Sequence, residues 1–165
     1  MEIVSFVILL FGFSSHSYSD STSENKPRFE RVLFSEVISG NGTVDSLKRL
    51  SIRLINTESE LKAAYEYLFS NPKRESYGTK APDIDLTTGS AVLLDMGIQG
   101  NLGHYVLALR ATKQDNQYSL TYVTLSPGEG CWAAAQMQRP FQLIYFKEKI
   151  GSLETHHIEG FRTCD

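Results

Sequence analysis

The sequence predicts a mainly β, α+β domain: an antiparallel β-sandwich or open barrel with one packed helix in its N-terminal half. Three observations lead there. Short apolar runs recur between glycine- and proline-containing corners, the pattern of strands joined by tight turns. Only one stretch, near residue 57, carries a helical period. All five prolines, Pro27, Pro72, Pro82, Pro127 and Pro140, fall at inferred element boundaries.

Phe29 to Ile38, rich in Phe, Val and Ile, reads as a first strand, and Gly40-Asn41-Gly42 as the turn that ends it. Asn41-Gly42-Thr43 is also formally an N-glycosylation sequon. In Arg49 to Ile55, Leu50, Ile52 and Leu54 alternate with Arg49, Ser51 and Arg53, which predicts a strand wet on one side. Thr57 followed three residues later by Glu60 is a capping box, each side chain satisfying a free backbone donor of the other. Leu61, Ala64, Tyr65 and Leu68 then form one apolar stripe, ended by Asn71-Pro72.

Lys73 to Ser90 has little regular pattern, with Ile84 and Leu86 expected to pin it to the body. Asp83 and Asp85 lack the remaining ligands and the glycine of a Ca²⁺ loop. Ala91 to Met96 (Ala-Val-Leu-Leu-Asp-Met) is nearly continuously apolar, as a central strand is. A glycine-rich loop, Gly97 to Gly103, leads into a strand opening at His104-Tyr105. Gln114 to Gln117 is a polar turn into Tyr118–Leu125. The corner Ser126-Pro127-Gly128-Glu129-Gly130-Cys131 follows, then Trp132 to Gln138, readable as a short strand or a helical turn. Arg139-Pro140-Phe141 opens the last strong strand, to Phe146. The tail to Asp165 is polar, with Ile158 and Phe161 as its expected anchors, and Lys147-Glu148-Lys149 reads as a solvated strand end.

The N-terminus predicts export. Ile3 to Phe13 is an apolar run shorter than the ~20 residues of a membrane span. Ser17 and Ser19 place small residues at the −3 and −1 positions of a cleavage site. Glu2 and the absence of Lys or Arg before the run depart from the usual signal. The expected organisation is a signal peptide over 1–19, a leader over 20–28 and one domain over 29–165, secreted or periplasmic, with no membrane contact after cleavage. Removing Glu2 with the signal takes the formal net charge from −3 to −2. A balance this even, with scattered Lys and Arg, argues against a nucleic-acid partner. Cys131 and Cys164, an even pair in an oxidising compartment, are expected to form a disulfide. Closing that loop is worth about 3–4 kcal/mol in the chain-entropy model.

The search for chemistry yields no catalytic constellation, no cofactor motif and no metal site. His104 stands beside the glycine loop without a motif that ties it to a nucleophile, and no Gly-x-Ser-x-Gly elbow is present. His156-His157 points to opposite sides of an extended segment, with only Glu154 and Glu159 nearby as carboxylates. The glycines at 97, 100 and 103 allow either tight hairpin geometry or close approach of a partner backbone.

A strand ending at Gly97, a loop ending Gly103-His104-Tyr105, the corner Pro127-Gly128-Glu129-Gly130-Cys131 and Pro140-Phe141 before an apolar strand together resemble the PrcB C-terminal domain family. The likeness covers about Val32 to Lys147, and departs where Leu102 and His104 replace that family's Thr and second Gly. It implies an exported, non-catalytic accessory protein whose partner is another exported protein, a protease in the case of the founding member, a lipoprotein. Gly100, Gly103, His104, Tyr105, Pro127, Gly128, Gly130, Arg139, Pro140 and Phe141 are the expected protein-binding loop residues. Two alternatives stand beside it. Gly103-His104-Tyr105 and Arg139-Pro140-Phe141 look like two of the three loops of chagasin-type protease inhibitors. A small metal-binding protein or enzyme using His104, His156 or His157 is the other.

Overall fold

The polypeptide crosses between two packed four-stranded sheets, and the one helix among the described residues covers the outer face of one of them. A computed structural model describes residues 29–42, 49–69 and 81–163. The expected signal peptide, the leader, Thr43 of the sequon, Asn71-Pro72 and Cys164 lie outside the described residues. In chain order the elements are β1 (Glu30–Val32), β2 (Phe34–Asn41), β3 (Ser51–Ile55), α1 (Glu58–Phe69) and β4 (Ser90–Asp95). Then follow β5 (Tyr105–Gln114), β6 (Gln117–Pro127), β7 (Pro140–Phe146) and β8 (Leu153–Arg162). One sheet runs β1-β5-β6-β8 and the other β2-β7-β4-β3. The sandwich with one early helix is as the sequence predicts; one pairing, β6 with β8, is parallel.

β4 explains the layering. All six of its residues are buried. Val92 and Leu94 face the inter-sheet core with Val106, Leu120, Ile144 and Phe146, while Ala91 and Leu93 face Leu61, Ala64 and Leu68 of α1. A strand covered on both faces has no polar alternation to display, hence the apolar run Ala91–Leu94 between buried Ser90 and Asp95. The helix starts at its capping box: Thr57 Oγ1 accepts the Glu60 N–H (3.2 Å), and Glu60 accepts the N–H groups of Asn56 (2.7 Å) and Thr57 (3.0 Å). Those donors hold the Glu60 carboxyl below its usual range, the Asn56 amide foremost. Leu61, Ala64, Tyr65 and Leu68 are the buried stripe, as expected. Leu86 is buried and Ile84 packs on the same cluster.

Four expectations are corrected. The first strand is two, split at exposed Leu33, because the chain changes sheets there: β1 pairs with β5 and β2 with β7. Gly40 and Asn41 do not turn but continue β2 opposite Phe141 and Pro140, and the Gly42 N–H donates to the Arg139 carbonyl (2.9 Å). The far side of β3 is not simply wet, since Arg53 stacks on the Tyr67 ring of the helix at 3.9 Å. The polar tail is a ten-residue strand whose supposed anchors, Ile158 and Phe161, are exposed. Lys147-Glu148-Lys149 also ties elements together. Glu148 accepts from Lys113 (3.0 Å) and Tyr118 (2.5 Å), and Lys149 donates to the carbonyls of Asn56 (2.8 Å) and Leu86.

Candidate functional site

Three of the segments singled out in the sequence meet at one end of the sandwich. β4 ends at Asp95, and Gly97, at φ 76°, turns the chain outward. The loop that follows lies along the segment before β7. Gln99 and Gln138 exchange backbone hydrogen bonds (2.8 and 3.0 Å), the Leu102 N–H donates to Ala134 O (3.1 Å), and the Gln138 side-chain amide donates to His104 O (3.3 Å). On the other side the corner after β6 is stitched to the end of β8. The Gly128 N–H donates to Arg162 O (3.0 Å), and the Cys131 Sγ lies 3.4 Å from the same oxygen. Gly103, at φ 94°, is where only glycine fits: a Cβ there would sit 3.2 Å from both Pro127 and the Arg162 guanidinium. The 131–139 segment forms no regular element between these anchors, only the Gln99–Gln138 bridge.

His104 is bracketed. Its Nε2 meets Asn101 Oδ1 at 2.5 Å and its Nδ1 meets Ser126 Oγ at 3.1 Å. An amide oxygen only accepts, so Nε2 carries the proton and bare Nδ1 accepts the serine hydroxyl. Burial pushes the imidazole below its ordinary 6.5, in keeping with a neutral ring. The chain Asn101–His104–Ser126 crosses from the glycine loop to the end of β6 and can polarise the serine hydroxyl. The His104–Ser126 contact had no sequence signal, since 22 residues separate the two.

A pH dependence follows from this. Because the folded value lies below the unfolded one, the stability tied to neutral His104 is intact above about pH 6.5 and is lost as pH falls below it. Urea midpoints of the wild type should therefore fall between about pH 7.5 and pH 5. Those of His104→Gln should fall less, and parallel curves would show that His104 does not titrate this way.

Arg139-Pro140-Phe141 is not an exposed loop, which corrects its assignment as a partner-binding element. Arg139 is 2 % exposed and forks onto Asp95, Nε to Oδ1 (3.1 Å) and Nη2 to Oδ2 (2.6 Å). Its guanidinium lies over the Tyr67 ring (4.3 Å), and Nη1 donates to Tyr67 O (3.2 Å). Pro140 and Phe141 are buried strand residues of β7, Phe141 meeting Phe69 edge-on. The Asp95 carboxylate also accepts the Gly97 N–H (3.0 Å), so this pair fixes the start of the loop and the start of β7 together.

What this end exposes is apolar. Trp132 is 92 % exposed, Phe161 78 % and Met137 62 %, and half-exposed Tyr105 lies beneath the Arg162 guanidinium (5.6 Å). Gly100, Gly103, Tyr105, Pro127, Gly128 and Gly130, among the expected binding-loop residues, border this end; Trp132, Met137 and Phe161 are exposed here and are not among those expected. The sequence places Trp132 in a short strand or helical turn and Phe161 as an anchor of the tail, whereas both side chains are exposed. A large apolar side chain next to a Gly-x-Gly-Cys corner was the signal available.

Elsewhere, the Asp85 carboxylate is taken up by Thr87 and Thr88, whose hydrogen bonds hold it down to about 2. His157 stacks on Tyr122 (4.9 Å, 8°) and pairs with Thr124 (2.7 Å), while His156 lies 3.9 Å from Glu154. Among the described residues no group of three or more His, Cys, Asp or Glu comes together. None of their helices is long and apolar enough to cross a membrane. Two open clefts, of ≈ 540 and ≈ 630 Å³, lie elsewhere, at the β1–β2 crossover and between α1 and residues 81–84. No family model, curated protein or solved structure matches the chain.

Proposed function

We propose that the chain is an exported, non-catalytic binding module, an accessory or stabilising partner of a secreted protease, related to the PrcB C-terminal domains that it resembles. The observation that carries this reading is the exposure, at one end of the sandwich, of Trp132 and Met137 on the hydrogen-bonded 131–139 segment and of Tyr105 and Phe161 at the ends of β5 and β8. Exposed aromatic side chains beside an arginine are the composition of interface hot spots. Displaying them on tied loops lowers the ordering cost of association. The inhibitor alternative loses support, because Arg139-Pro140-Phe141 is buried.

The test uses exported protein from the native host. Its N-terminus should be Asp20, and Cys131 and Cys164 should be oxidised to each other. No free cysteine occurs among the described residues, and Cys131 sits against the strand that leads to Cys164. Immobilised wild type should capture one exported protein in stoichiometric amount. Trp132→Ala should weaken that capture about thirtyfold, the loss expected of a 2 kcal/mol hot spot. Unchanged capture by Trp132→Ala would remove this end from the interface. A second reading, a small hydrolase, is favoured only by the Asn101–His104–Ser126 chain. Covalent labelling of Ser126 by a fluorophosphonate, lost in His104→Gln, would establish it in place of the first.

A further inference from the structure

β8 closes one edge of its sheet without the shortness, bulge or proline that usually protect an edge. Of the other three sheet edges, β1 has three residues, β3 has five, and β2 is broken by an irregularity between Glu36 and Ile38. Short strands and bulges discourage pairing with another chain. β8 has ten residues, contains no Pro or Lys, and keeps an unbroken register with β6 from Leu153 to Arg162. Its side chains are exposed or half-exposed throughout, and no described strand pairs with its far side. Such an edge is a template for one more strand.

We propose that this strand is β8 of a second copy, paired antiparallel across a two-fold axis at Ile158, so that the two sheets join into one of eight strands. The register follows from the sheet itself. Side chains alternate, so Glu154, His156, Ile158, Gly160 and Arg162 share the outer face. His157, stacked on buried Tyr122, marks the face toward the other sheet together with Thr155, Glu159 and Phe161.

Facing residues of an antiparallel pair point to the same side, so a two-fold axis must pass through a residue and not between two. Placed at Ile158, it sets Glu154 against Arg162 of the other copy, and His157 against Glu159, twice each by symmetry. Ile158 then meets its own copy, continuing the outer-face apolar strip of Tyr105, Leu107, Val123 and Leu125. Shifting the axis to Glu159 opposes two glutamates and sets His156 against Arg162. Shifting it to His157 opposes two histidines and loses both acid–base matches. Charge complementarity selects one register.

This seam shares Phe161 and Arg162 of β8 with the partner reading, but Trp132 lies beyond the corner after β6 and not on β8, so Trp132→Ala tests that reading without touching the seam. Sedimentation equilibrium of the mature chain should show a dimer. Glu154→Arg and Arg162→Glu should each weaken it about tenfold, because each turns two cross-strand attractions into repulsions. The double exchange should return the dissociation constant to within about threefold of wild type. Both positions are exposed, and unchanged circular dichroism would confirm folding of each variant. A chain that stays monomeric up to about 0.1 mM overturns the proposal. So does a dimer indifferent to the single changes, or additive weakening in the double exchange. A monomer that instead binds an extended peptide along β8 would give that edge to another partner.

Discussion

Arg139→Ala is expected to lower the unfolding free energy by about 3–5 kcal/mol, read as a fall in the urea midpoint at neutral pH. Asp95 is fully buried, and Arg139 supplies both of its charged hydrogen bonds. Without the guanidinium the carboxylate keeps only the Gly97 N–H, too little to offset its desolvation. The Tyr67 carbonyl loses the Arg139 Nη1 donor in the same step. Replacing both partners by apolar residues of similar volume, as in Asp95→Leu with Arg139→Met, should recover much of the loss, since no charge is then stranded. A single-variant cost below about 1 kcal/mol would mean that water reaches Asp95 and that the pair is not sealed. The consequence reaches the site as well. Asp95 and Arg139 begin the glycine loop and β7, so Arg139→Ala should loosen the binding end even where the core survives.

The parts of this architecture that could be read from the chain are those set by local rules. Thr57 and Glu60 announce a helix start because a capping box is closed within four residues. Asp115 and Asn116, with φ of 48° and 66°, make the polar turn between β5 and β6 from residue types that tolerate the left-handed region. What stayed hidden depends on partners distant in sequence. Arg139 looks like a loop charge until Asp95, 44 residues away, is placed beside it. β8 looks like a solvated tail because an edge strand needs backbone pairing with β6 and little apolar alternation. The break at Leu33 is invisible because the apolar content of Phe29 to Ile38 continues across a change of sheet.

The same aromatic truncation should have opposite effects at two positions. Phe146 is fully buried in the inter-sheet core, tilted against Phe34 (5.7 Å) and paired with residues of β2 and β4. Phe146→Ala removes a side chain that both neighbouring strands pack around. It should cost about 3–5 kcal/mol, the transfer term plus an incompletely collapsed cavity. Against a total of about 5–15 kcal/mol for a domain, that brings the fold close to failure. Trp132→Ala deletes a larger ring that touches almost nothing, so its urea midpoint should move by less than about 0.5 kcal/mol in equivalent stability. Partner capture should rank them in reverse: weakened about thirtyfold with Trp132→Ala, retained by whatever fraction of Phe146→Ala remains folded. A Trp132 substitution that destabilises by more than about 1 kcal/mol would place the indole in the fold and not at its surface. With both outcomes as expected, retaining an exposed tryptophan on tied loops requires a selective reason other than stability, and recognition supplies one.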